Sequence, residues 1–343
     1  MSRPVSLIAA AAALVFSGQA APAADAPIGL MAPLSGNFEI LGKQMQEGAA
    51  AAAQAKGVEL AIADDRCDAE GGASAARELI ARDVALVVGG LCSEAMDAAL
   101  PLLTEASIPV ISTGVRADRF TDLREREGWL FWRVAPRDDA ERSAAADILV
   151  PLWRNELFAI VDDGTIYGRE LAETLRLAAE VAGLKPAFVD TFRPQSENQF
   201  ALIGRLTRAG ATKVFVGGDR DDISIIARDA AEAKAELTIA GGEMLRAPSS
   251  IPLRSGVLMV AMPEGSVELE GYALPAHAAV EIAAAALTQA GDDTASIPEL
   301  LSRSEFQTVM GPVKFDAKGD LSRNPYRLHR FDGEKFVIVE DQQ

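Results

Sequence analysis

IGLMAPLSGNFEILGKQMQEGAAAA, residues 28–52, carries the decision about the fold. It opens as a run suited to a strand, passes through a glycine-bounded loop and ends with the composition of a helix. Strand, glycine-bounded loop and helix form the unit of parallel α/β sheets. Gly36 and Gly42-Lys43 raise the question of a phosphate-binding loop. That motif reads G-x-x-x-x-G-K-[ST]. Here five residues separate Gly36 from Gly42, and Gln44 stands where a magnesium-binding hydroxyl belongs. Spacing and chemistry both argue against a nucleotide. The free N–H groups of the helix start can still face an anion.

The same unit recurs downstream. VELAIAD (58–64), VALVVGG (84–90) and IPVIST (108–113) are expected strands, separated by the helices GGASAARELIARD and SEAMDAALPLLTEAS, the latter carrying Pro101 and an expected kink. After FWRVAPRDD (131–139) the alternation restarts with LFAIVDD, KPAFVDTF, TKVFVGG, AELTIAGG and GVLMVAM. Two rounds of one pattern, broken near Ala135-Pro136, predict two Rossmann-like α/β lobes with parallel central sheets. LPAHAAVEIAAAALTQAG is a long helix that needs a sheet to cover. GPVKFDAKGDL and YRLHRFDGEKFVIVE are expected hairpins, turning at Gly319 and at Asp332-Gly333. We expect the chain to cross back near Met262-Pro263, so that several crossings make a hinge. Residues 24–135 plus 263–325 then form lobe one, and 136–262 plus 326–343 form lobe two.

The start of the chain is different in kind. Arg3, the apolar stretch Ser6 to Phe16 and the small residues Ala21-Pro22-Ala23 read as a signal peptide over residues 1–23, implying export to the periplasm. The apolar run falls short of the ~18–20 residues of a membrane span. No membrane insertion is expected. A net charge of −17 is a poor match for nucleic acid, and it serves solubility. Cys67 and Cys92 are the two cysteines. In an oxidising compartment they would pair, closing a loop of about 25 residues for roughly 3–4 kcal/mol, or stay as a free buried pair.

Catalytic machinery is hard to find. Ser93 follows a strand in GGLCSEAM, where it can cap the next helix or meet a carboxylate, but the G-x-S-x-G elbow is missing. His277 falls on an alanine-rich helix and His329 in a strand. No Cys/His cluster suggests a metal, and no cofactor is expected. Asp162-Asp163 is the single paired-carboxylate candidate for an exported enzyme, and adjacent acids more often serve a turn. The remaining polar residues have one thing in common. Ser112, Thr113, Gly114 and Arg116, then Tyr167, Asp219 and Glu243, all follow carboxyl ends of expected parallel strands. Open α/β sheets bind ligands there.

Together these features resemble the periplasmic leucine/isoleucine/valine-binding protein family, the type I substrate-binding proteins of ABC importers. APLSG…G…GA, the in-register CDAEGG and GGLCS, YG before a helix and the late GPVKFDAKGDL carry the likeness over nearly the whole mature chain. The resemblance implies a Cys67–Cys92 disulfide in lobe one. It implies an amino-acid ligand whose carboxylate meets Ser93 and the loop containing Ser112, Thr113 and Gly114. Tyr167 would reach the head group from lobe two, and Glu243 would pair with the ammonium. An inner-membrane ABC permease is the implied partner; a sensor or amide-binding relative on the same scaffold is the alternative. Three departures stand out: Arg116 at a threonine position, Asp219 near a tyrosine position, and Leu41 near an aromatic one. Arg116 can grip the carboxylate bidentately or meet an acidic ligand side chain. Asp219 can pair with Arg116 or favour a ligand with extra donors.

Overall fold

The computed structural model describes residues 26–264 and 269–340, so the expected signal peptide lies outside the described residues. The first lobe opens with β1 (Ile28–Ala32), α1 (Glu39–Lys56), β2 (Leu60–Asp64), α2 (Ala69–Ala81), β3 (Leu86–Gly89), α3 (Ser93–Glu105) and β4 (Val110–Ser112). Two single turns, α4 (Arg119–Asp122) and α5 (Arg124–Glu127), lead to β5 (Phe131–Arg133). These strands form an all-parallel sheet in the order β2-β1-β3-β4-β5. Every residue of β1, β3, β4 and β5 is buried, as expected where helices cover both faces, whereas the edge strand β2 alternates.

The second lobe contains α6 (Ala140–Leu152), β6 (Phe158–Asp162), α7 (Ile166–Val181), β7 (Phe188–Thr191), α8 (Phe200–Arg208), β8 (Lys213–Gly217), α9 (Arg220–Glu232), β9 (Thr238–Gly241) and β10 (Leu258–Ala261). The chain then returns to lobe one as α10 (Ala273–Ala290), α11 (Ile297–Arg303) and the hairpin β11 (Glu305–Thr308) with β12 (Gly311–Lys314). It finishes in lobe two with β13 (Arg327–Phe331) and β14 (Phe336–Ile338). These two strands extend the second sheet antiparallel, giving the order β14-β13-β10-β9-β8-β6-β7. Strand order reverses at β1/β3 and again at β6/β8, which opens a crevice at the carboxyl ends of each sheet.

Alanine and glycine let α10 settle onto lobe one. Ten of its residues are buried, and it packs along α1 through Ala49, Ala52 and Ala53. At Gly48 a Cβ would overlap the carbonyl of Ala273, so only glycine permits this approach. Gln44, the residue that argued against a phosphate loop, accepts a hydrogen bond from Tyr272 N at 3.3 Å and ties α1 to the start of α10. Cys67 and Cys92 are joined as a disulfide with Cα atoms 5.2 Å apart, linking the loop after β2 to the start of α3. Among the described residues no helix is long and apolar enough to cross a membrane.

Candidate functional site

In lobe one the site is built where β4 ends. Thr113 N donates to Gly89 O at 3.1 Å and Gly114 N donates to Gly90 O at 3.0 Å, so the loops after β3 and β4 run together. Gly114 fits because a Cβ there would lie 2.9 Å from Leu91 Cδ1. Ser112 is fully buried, and its hydroxyl accepts from Val115 N at 3.2 Å, fixing the loop's shape. Thr113 is 1% exposed, yet its Oγ1 has no hydrogen-bond partner among the described residues. Arg116 donates through Nη2 to Tyr326 OH at 3.0 Å, while its buried Nε makes no hydrogen bond among the described residues and lies 3.9 Å from Asp138 Oδ1. Burial works against the Arg116 charge, but Tyr326, Asp138 and Glu243 outweigh it and raise the pKa, so the guanidinium stays ionised.

Arg133 holds this loop from behind. It is fully buried on β5 and donates to the carbonyls of Arg116 and Ala117, each at 2.9 Å, and to Thr121 Oγ1 at 2.7 Å. Its ion-pair partner is Asp320 at 2.5 Å, on the turn that follows β12.

In lobe two, Glu243 follows β9 and opens a single turn of helix ending at Arg246. Gly242 precedes it because a Cβ would collide with Glu141 Oε1 and Tyr167 OH. Glu141 Oε1 accepts from Tyr167 OH at 2.6 Å and from Glu243 N at 2.7 Å. Burial raises the Glu141 carboxyl's pKa, with the Tyr167 hydrogen bond opposing. Glu243 Oε1 accepts from Arg246 Nη1 at 3.3 Å and Met262 N at 3.4 Å. Its Oε2 accepts from Tyr326 OH at 3.0 Å. Burial and the charge of Glu243 raise the Tyr326 pKa, so its hydroxyl keeps the proton it donates.

Five of the residues in these loops line a cavity of about 530 Å³ where the chain crosses between lobes. Thr113, Gly114 and Arg116 enter it from lobe one, and Glu243 and Arg246 from lobe two. Crossing residues 134–136 and 262–264, residues 269–272 with the start of α10, and Met310 complete the described lining.

A sequence profile described as periplasmic binding protein matches residues 26–250. The chain belongs to the periplasmic binding protein family. Over 98% of its length it is 25% identical to Leu/Ile/Val-binding protein homolog 3 of Brucella melitensis, of which 99% is covered. In fold it is similar to a protein of Rhodospirillum rubrum described as a branched-chain amino acid ABC transporter, with a TM-score of 0.77 at 17% identity, covering 92% of this chain and all of the other. It also resembles an ABC transporter substrate-binding protein from Desulfitobacterium hafniense in complex with Leu, with a TM-score of 0.64 at 19% identity, covering 92% and 99% of the two chains.

This periplasmic binding protein thus gathers four of the residues singled out from sequence, Thr113, Gly114, Arg116 and Glu243, around one cavity. Ser93 sits half-buried as the first residue of α3 and is not among the described lining residues. Ser112 and Tyr167 stand just behind the lining, supporting their own loops. Asp219 caps α9 by accepting from Asp222 N at 2.9 Å; Arg116 pairs instead with Tyr326 and, at 3.9 Å, with Asp138. Asp162 and Asp163 each accept hydrogen bonds from the turn that follows them, at Gly164 and Thr165. Sequence reasoning missed Arg246, Tyr326 and Glu141. Only Arg246 left a trace, as the second charge of AGGEMLR.

Proposed function

We propose that this chain is the substrate-binding protein of an ABC importer and captures an amino acid between its lobes. One observation carries the reading: anion-seeking groups from lobe one, Thr113 and Arg116, and the carboxylate of Glu243 from lobe two open onto the same cavity. A zwitterion needs both kinds of partner. Thr113 and Arg116 take its carboxylate, and Glu243 takes its ammonium, with Ser93, Ser112, Gly114, Tyr167 and Asp219 shaping or supporting the loops that close on it. Hydrogen bonds to charged groups contribute roughly 1.5–3 kcal/mol each. Four of them give roughly 6–12 kcal/mol, a range that brackets the ~8 kcal/mol of micromolar affinity before ordering and desolvation are subtracted.

Capture without chemistry follows from this arrangement. Only a closed molecule presents both halves of the site, so a ligand that touches both lobes favours closure by its differential affinity. The family and the relatives' names support export and delivery to an inner-membrane permease, and the sequence pattern of residues 1–23 supports their removal. A thermal-shift screen of the mature protein against all amino acids tests the proposal, because a ligand binding only the folded state at one hundred times its Kd adds about 2.7 kcal/mol. We expect a small set of amino acids to raise the melting temperature and to be recovered unchanged, and Glu243→Gln to weaken them at least tenfold. No shift with any amino acid at millimolar concentration would overturn it.

A further inference from the structure

The geometry points to Glu141 as the positioning residue for Glu243, so that the ammonium half of the site is set from α6, behind the cavity wall. This rests on the cleft being the capture site for an amino acid. Glu141 stands in the first turn of α6 and is not among the described lining residues. Its Oε1 accepts from Glu243 N at 2.7 Å and from Tyr167 OH at 2.6 Å. The Tyr167 oxygen in turn takes a weaker hydrogen bond from Met244 N at 3.5 Å. One carboxylate oxygen thus collects the first two N–H groups of the Glu243–Arg246 turn, one directly and one through the phenol.

The opening N–H groups of such a turn have no partner within it, and the side chain of the preceding residue normally answers them. That residue is Gly242, which has no side chain to offer. A Cβ at Gly242 would collide with both Glu141 Oε1 and Tyr167 OH, so the glycine forgoes its own cap and admits a remote one. The far end of the turn is held separately. Arg220 Nη1 donates to the carbonyl of Leu245 at 2.5 Å, and Arg246 Nη2 donates to that of Met262. Placement matters because Glu243 has little to spare. Its carboxylate offers about four lone-pair positions, and Arg246, Met262 N and Tyr326 each occupy one. The position left on Oε2 serves a ligand ammonium only while the backbone at Glu243 stays where Glu141 holds it.

The test is calorimetric titration of the mature, disulfide-intact protein with each of the common L-amino acids. The amino acid that binds the native protein tightest is then titrated into Glu141→Gln, Glu141→Asp and Glu141→Ala. Glutamine keeps an oxygen that can accept both hydrogen bonds and removes the charge. Aspartate keeps the charge and draws the acceptor back by one methylene. We expect Glu141→Gln to bind within fivefold of the native protein, and Glu141→Asp and Glu141→Ala to lose at least tenfold. The loss from Glu141→Asp should fall below threefold when Glu243 is already glutamine, because residues acting through one contact are not additive. Aspartate binding as well as glutamine, or better, overturns the inference, since Glu141 would then supply charge and not position. Native affinity in all three variants, whatever their melting temperatures, overturns it by making the residue structural only. Equal losses in both Glu243 backgrounds overturn it by placing the effect elsewhere. Each of these outcomes leaves the amino-acid reading standing, whereas binding of no amino acid by the native protein removes both. The order of glutamine and aspartate decides the matter even if Glu141→Ala fails to fold.

Discussion

At the scale of single residues, the buried hydroxyl of Thr113 makes opposite predictions for folding and for binding. Its Oγ1 meets no hydrogen-bond partner among the described residues, so replacing it with a methyl group removes a desolvated polar atom at nearly constant volume. Thr113→Val should therefore leave the ligand-free melting temperature unchanged or raise it. A carboxylate ligand should lose about 1–2 kcal/mol, or five- to thirtyfold in affinity. Unchanged affinity by calorimetry would remove Thr113 from the contact. Asp65 carries a similar argument without a ligand. Burial pushes its carboxyl from 3.8 up to about 6, against a smaller pull from the N–H of Cys67, and its Oδ2 has no partner among the described residues. Below pH ~4 folded and unfolded chains are both protonated, and the group has no effect. Between ~4 and ~6 the unfolded chain ionises first, so stability falls, and above ~6 the full penalty is present. Asp65→Asn should stabilise by about 1–3 kcal/mol at pH 7 and by nothing at pH 4. Equal effects in urea denaturation at both pH values would contradict this origin.

At the scale of elements, glycines inside helices have opposite consequences according to what faces them. Gly48 in α1 lies against the backbone of Ala273, whereas a Cβ on Gly204 in α8 would meet nothing within 4 Å. Gly48→Ala should destabilise by about 1–3 kcal/mol through overpacking, although alanine is the better helix former. Gly204→Ala should stabilise by roughly 0.5–1 kcal/mol. Chemical denaturation giving the same sign for both would refute the packing account. The same contrast governs what could be read beforehand. Apolar runs marked most of the parallel strands in the two sheets, because burial on both faces leaves that signature. β5 escaped notice: it is three residues long and ends in Arg133, whose ion partner Asp320 lies 187 residues away. Thr113, Gly114, Arg116 and Glu243 were legible as loop residues just beyond strand ends. Arg246 lines the same cavity from a one-turn helix, and Tyr326 meets its neighbours Arg116 and Glu243 from a chain crossing, where no periodicity reports spatial proximity.

At the scale of the whole molecule, one phenol joins the two lobes. Tyr326 is 2% exposed and packs with the α6–α7 side of lobe two. Its oxygen accepts from Arg116 of lobe one and donates to Glu243 of lobe two, each at 3.0 Å. The hydroxyl thus couples lobe position to the state of the site. Removing it in Tyr326→Phe leaves an arginine N–H and a carboxylate oxygen facing each other without the bridging group, and each gains more by meeting water in an opened cleft. The ligand-free variant should therefore sample more open arrangements, seen as a larger radius of gyration in small-angle scattering than the native protein's. A saturating ligand that touches both lobes should restore the native value, because it supplies a bridge of its own. The apparent affinity should fall by the fraction of molecules no longer competent to close around the ligand. Because the Tyr326 pKa is raised, the native bridge persists through neutral pH, and the difference between the two proteins should not vary between pH 6 and 8. Identical scattering curves for native and variant protein without ligand would show that the lobes are held together by something other than this hydroxyl.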